Sequence, residues 1–197
     1  MAGIRGIFLA ASLLAAAWPA AAAENSSAYT KIDLATCREE APDPDDPLMS
    51  GTWWCEGYGG MPVMVTEGDL RFMVSYGADA ENERAAGQTL PSFNTIGETL
   101  EWRLRRADDG TLRPFATILR YFTDAPAAGA VKGQLLVVTK LGGSGQICQI
   151  GIVDALVNPD ANVIAREVAD NGADAFDCAA EEPLRFGLAG GDGDAQE

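Results

Sequence analysis

The chain has 197 residues, 29 acidic against 14 basic side chains, a net charge of −15, four cysteines and no histidine. At 47% hydrophobic and 22% charged, its composition suits one globular domain. The negative balance argues against nucleic-acid binding, and the missing histidine excludes Ser-His-Asp and Cys-His catalysis and His-ligated zinc.

Residues 1–23 read as a secretory signal peptide: Arg5, an apolar run from Ile7 to Ala17, then Trp18-Pro19 and the small-residue end Ala21-Ala22-Ala23. The apolar run is about half of the ~20 residues a spanning helix needs, so the expected product is exported to the periplasm or secreted, without stable membrane insertion. The mature chain then starts at Glu24, with 174 residues and a net charge of −16. Residues 24–50 form an acidic, proline-rich segment, and the stretch Glu39 to Pro47 reads as a stiff linker. Asp43, Asp45 and Asp46 could offer oxygens to calcium, but no glycine turn or distal Glu at the required spacing follows, and no metal site is expected.

Three hairpins come next. Met61–Tyr76 alternates about Gly68-Asp69, a turn that sets Val65 opposite Phe72 and Val63 opposite Val74. Thr99–Phe122 alternates about Asp109-Gly110, a type I′ signal that sets Leu104 opposite Phe115, Trp102 opposite Thr117 and Leu100 opposite Leu119. Gly133–Leu156 turns at Gly143-Ser144, and its strands are apolar on both faces, as central strands covered on each side are. A helix follows, with Asn158 as N-cap, Pro159 at its first position, an apolar face of Ala161, Ile164, Ala165 and Val168, and Gly172 at its end. The reading is α+β: an antiparallel sheet of three hairpins, open or partly closed into a barrel, with one C-terminal helix on a face, spanning residues 51–180. The glycine-rich acidic tail, 187–197, reads as disordered.

Four cysteines in an exported chain argue for two disulfides. Of three pairings, the sequential one, Cys37–Cys55 with Cys148–Cys178, fits a helix that returns the chain beside the third hairpin. No C-x-x-C and no cofactor motif is present.

Candidate chemistry is sparse. Asp154, before the helix, reads as a residue that bonds loop amides, and Trp53-Trp54 read as packing on a disulfide rather than stacking on sugars. The long polar connection Gly77–Gly97 carries Glu81, Glu83, Ser92 and Asn94, and Phe93 is expected to anchor it to the core. The strongest anomaly is an arginine cluster: Arg103, Arg105, Arg106, Arg113 and Arg120 fall within eighteen positions. Arg103, Arg105 and Arg120 share one sheet face with Glu101. That face is either solvated, with a diagonal Glu101–Arg120 ion pair, or a site for an anion or acidic partner, since arginine forks suit carboxylate and phosphate.

The blocks Trp54 to Gly60, Glu67 to Phe72, Leu100 to Arg103, Pro114 to Arg120, Cys148 to Ala155 and Asn158 to Asn162 resemble a family of secreted alphaproteobacterial proteins with no assigned activity. The resemblance implies a periplasmic setting and a shared fold, and it carries over no catalytic residue. The leading expectation is a non-enzymatic periplasmic binding or interaction domain, with an acidic ligand or an envelope protein as partner. The alternatives are a cell-envelope hydrolase using carboxylates and a secreted inhibitor of a basic enzyme such as a lysozyme.

Overall fold

The computed structural model describes residues 25–41, 50–124 and 132–188. Residues 1–23, expected to be a signal peptide, the prolines and aspartates from 42 to 47, and the tail beyond Leu188 lie outside the described residues.

The fold is α+β, built as two open sheets and one helix in three layers. A six-stranded sheet runs β1 (Ser26–Lys31), β6 (Asn94–Arg106), β7 (Leu112–Thr123), β8 (Gly133–Lys140), β9 (Cys148–Asp154) and β10 (Leu184–Phe186) in that order. A four-stranded sheet runs β2 (Arg38–Glu39), β3 (Gly51–Glu56), β4 (Pro62–Gly68) and β5 (Arg71–Tyr76). All three expected hairpins form, as β4–β5, β6–β7 and β8–β9.

Alternation along each strand separates two cores. One lies between the sheets: Val63, Val65, Val74 and Tyr76 of the small sheet meet Leu100, Trp102, Leu119 and Tyr121 of the large one. The other lies between the far face of the large sheet and the helix α1 (Ala161–Gly172), where Ile118, Leu136, Val138 and Ile150 meet Ala161, Ala165, Val168 and Ala169. The central strands β8 and β9 are covered on both faces, which is why their sequence does not alternate. Gly151 matters to this packing, since a Cβ there would stand 2.6 Å from Val168 Cγ1 and push α1 off the sheet.

Both expected disulfides are present, Cys37–Cys55 and Cys148–Cys178. The first joins the chain before β2 to β3. The second joins β9 to the segment leaving the helix. Among the described residues no helix is long and apolar enough to cross a membrane.

Several local expectations shift. The first turn is Asp69-Leu70, both at positive φ (52° and 60°), rather than Gly68-Asp69. Val65 therefore faces Val74, and Val63 faces Tyr76. A two-residue slip keeps each side chain on its face, so the sorting of core from surface survives except at Leu70, which is 62% exposed in the turn. The second turn is a three-residue loop, closed by the Ala107 amide on the Thr111 carbonyl, with only Gly110 left-handed. The Asp109 carboxylate holds that loop by accepting from the Thr111 hydroxyl and amide and from Arg113. Those bonds, the hydroxyl first, bring its pKa down to about 2. The odd loop moves the tip register by one, and a bulge at Phe115 restores it. Leu104 consequently faces Pro114, while Trp102–Thr117 and Leu100–Leu119 pair as expected.

The helix starts at Ala161, with Asp160 as its N-cap residue, two positions beyond the expected Asn158. Asn158 is instead occupied elsewhere: its side-chain amide donates to the Asp154 carbonyl at 2.8 Å and to the Phe186 carbonyl at 3.3 Å, tying the helix entry to β10. Strand β1 lies within the acidic N-terminal segment and forms the edge of the large sheet, pairing Ser27 with Arg103 and Tyr29 with Glu101. Gly187 and Leu188 precede the undescribed tail, and Leu188 packs against the inter-sheet core.

Candidate functional site

The helix α1 lies across the part of the arginine-bearing face that carries Glu101, Arg103 and Arg105, and leaves Arg120 beside an open cleft. The helix presents Arg166, Asp170 and, just past its end, Asp174 at four-residue intervals; β6 presents Glu101, Arg103 and Arg105 at two-residue intervals. Four helical residues rise about 6 Å and two strand residues about 6.7 Å, so the rows keep step over three rungs. Each rung joins opposite charges. Arg166 Nε donates to Glu101 Oε1 at 2.7 Å and its Nη2 to Oε2 at 3.1 Å. Arg103 Nε and Nη2 donate to the two oxygens of Asp170 at 2.9 and 2.6 Å. Arg105 Nη1 reaches Asp174 Oδ2 at 2.6 Å, and its guanidinium lies 4.4 Å over the Phe115 ring.

Strand β1 completes the array. Ser27 Oγ donates to Glu101 Oε1 and accepts from Arg103 Nη1, both at 2.5 Å. Arg166 Nη2 also reaches the Tyr29 hydroxyl at 3.3 Å. The Glu101 bond raises the pKa of Arg166 further above its ordinary value. Asp170 and Asp174 oppose the helix dipole at the C-terminal end, and the strand guanidinia offset that repulsion. Arg103 and Glu101 are buried, at 6% and 10% side-chain exposure, whereas Arg105 keeps 38%. Arg105→Gln should therefore change stability by no more than about 1 kcal/mol, measured by urea unfolding; a larger loss would show that the outer rung carries weight.

Arg120, the remaining candidate, behaves differently. The expected Glu101–Arg120 pair does not form, because both Glu101 oxygens are taken by Arg166 and Ser27. Arg120 Nη1 instead donates to the neutral Gln134 amide oxygen at 3.2 Å, and among the described residues it makes no ion pair. A bulge in β6 explains its setting. Ile96 pairs with Tyr121 and Leu100 with Leu119, so Gly97, Glu98 and Thr99 all sit opposite Arg120. The Ile32 amide bonds the Glu98 carbonyl at 2.7 Å and pins the bulge outward. A Cβ at Gly97 would stand 3.3 Å from the Arg120 carbonyl, a tight contact that the bulge would have to relieve by a few tenths of an ångström.

An open cleft of about 570 Å³ lies between this bulge and the first turns of α1. Ile96, Ile118, Phe122 and Leu136 give it apolar surface, and Arg120, Glu101, Arg166 and Asn162 bring polar groups. Of the four residues expected to form a site, Glu101 and Arg120 line this cleft; Arg103 and Arg105 do not. The bulge and Arg166 were invisible in the alternating pattern. Gly97 inside a strand was the signal that could have located them.

The other candidates have structural work. Asp154 Oδ1 accepts from the Leu156 amide at 2.8 Å, as expected of a loop-bonding residue. Trp54 donates its indole N–H to Glu40 at 2.6 Å under the Arg38 guanidinium, while Trp53 packs against the inter-sheet core. In the Gly77–Gly97 connection, Glu83 is buried and accepts from the Gly145 and Ile147 amides at 2.9 and 3.0 Å, holding the loop between β8 and β9. Leu90, Ala80 and Ala85 anchor the connection; Phe93 is 41% exposed, beneath Arg71.

Compared with family models, with curated proteins and with solved structures, the chain matches none. The fold and the site together define an α+β domain with an open, one-sided cleft beside its helix.

Proposed function

We propose that this chain is a non-enzymatic binding domain of the periplasm or the secreted fraction, and that the cleft beside α1 takes an acidic ligand with an apolar body. The observation that carries this reading is Arg120: a guanidinium with no carboxylate partner among the described residues, set beside Ile96, Ile118, Phe122 and Leu136. A charged head would satisfy its remaining donors, and an apolar body would cover the aliphatic and aromatic surface, including Phe122, which is 38% exposed. The cleft's volume of about 570 Å³ falls within the range of small-molecule sites, roughly 300–1,000 Å³. The export half of the reading is supported by the signal-like N-terminus, by two disulfides and by the resemblance to secreted alphaproteobacterial proteins.

Calorimetry with octanoate, decanoate and octanol tests the ligand class. The carboxylates should bind more tightly than octanol, and Arg120→Gln should weaken them roughly tenfold or more, the worth of one charge-assisted hydrogen bond. Equal affinity in the variant, or no heat from either carboxylate, contradicts the assignment.

A further inference from the structure

A second cleft, of about 490 Å³, lies at the other end of the large sheet and shares no lining residue with the first. It gathers three arginines from three separate elements: Arg71 from β5, Arg84 from the short turn Arg84–Gly87, and Arg185 from β10. Among the described residues, Glu182 brings the one carboxylate that lines the same cleft. With Asp69, which pairs with Arg71 from outside the lining, three guanidinia meet two carboxylates, still a local excess of positive charge in a chain of net charge −15.

Two of these arginines are held in place largely by neutral acceptors. Arg84 Nη1 donates to the carbonyls of Cys178 and Glu181 at 2.5 and 2.8 Å. Arg71 Nε donates to the Pro91 carbonyl at 3.1 Å, and the guanidinium lies 4.9 Å over Phe93. Carbonyls fix an arginine's position without cancelling its charge. The ion pairs they do make are with exposed partners: Glu182 on Arg84, at 83% side-chain exposure, and Asp69 on Arg71, at 62%. Such pairs exchange readily with solvent and with competing anions. Arg185 is exposed and makes no ion pair among the described residues. Gln88 adds an oriented amide, since its Oε1 accepts from the Gln149 backbone N–H at 2.8 Å, which fixes the side chain by its oxygen.

We propose that this cleft binds a phosphate group, free or as a monoester. Three arginines lining one cleft from three elements suit the several oxygens of a tetrahedral dianion better than the two coplanar oxygens of one carboxylate. The inference does not rest on the Arg120 cleft or on its ligand.

The test is calorimetry of the full mature chain with inorganic phosphate, glycerol 3-phosphate and acetate, at two salt concentrations, for wild type, Arg185→Gln and Arg120→Gln. Phosphate and glycerol 3-phosphate should bind at millimolar concentrations or better, acetate at least tenfold more weakly, and added salt should weaken both phosphates. Arg185→Gln should weaken phosphate at least tenfold, because β10 keeps its backbone pairing to β9 and only the cation is lost. Arg120→Gln should leave phosphate affinity unchanged. Free phosphate binding with no binding of the ester would restrict the site to the inorganic ion and still support it. Absence of heat from both phosphates, an unchanged affinity in Arg185→Gln, or a loss in Arg120→Gln instead, overturns the proposal.

Discussion

Asp170→Ala should destabilise the protein by about 3 kcal/mol, lowering the melting temperature by roughly 6–12 °C for a chain of this size. The substitution leaves the Arg103 guanidinium buried with only Ser27 and the more distant Glu101 oxygen, 3.9 Å away. Removing one partner of a buried pair typically costs about 3–5 kcal/mol, and Asp170 keeps a quarter of its side-chain surface, which sets the effect at the lower end. Replacing both partners with apolar residues, Arg103→Met with Asp170→Leu, should recover most of the loss, since no unpaired charge then remains. Thermal unfolding of the two variants checks this. A shift of under about 2 °C for Asp170→Ala would mean that solvent relieves the rung and that the helix is held by its apolar face alone.

The second large effect concerns the bridge between β9 and the chain leaving α1. Cys148 and Cys178 are buried, at 0% and 3% exposure, and close a loop of sequence separation 30. Replacing both by Ala should cost about 3–4 kcal/mol on the chain-entropy account, a fall of roughly 6–16 °C. Phe176, Cys178 and the Lys140 bond to the Phe176 carbonyl at 2.8 Å would all lose their fixed position, so α1 should show faster amide exchange than the inter-sheet core. Uniform loss of protection across both cores, or no loss of stability, would contradict a local role for this bridge.

Much of the fold was legible because its elements obey local rules. Alternation defined the strands of the first two hairpins, continuous apolar runs those of the third, and apolar spacing placed the buried face of α1 on Ala161, Ala165 and Val168. The pairing of the cysteines followed from the order of those elements. Turn geometry was harder. The first turn needs two left-handed residues and takes Asp69-Leu70, where glycine-based reasoning points one position earlier. Contacts between distant segments were not legible. Strand β1 has the polar sequence of an edge and gains its place only by pairing with β6, a contact across about seventy residues. The charged rungs have the same character: Arg166, Asp170 and Asp174 look like solvated helix charges until the strand bearing the opposite signs is laid against them.

That long-range matching also explains how the arginine cluster divides. From sequence, Arg103, Arg105 and Arg120 form one set. In the fold the first two fasten the helix, and the third stands opposite a bulge that widens the strand and opens the cleft.

The division is tested most directly by following backbone amides and arginine Nε–H groups by NMR while decanoate is added to the mature protein. The account predicts shifts concentrated at Gly97, Glu98, Thr99 and the Arg120 side chain, with the Arg103 and Arg105 side chains unmoved. Shifts centred on Arg103 and Arg105, or none at Arg120, would contradict it.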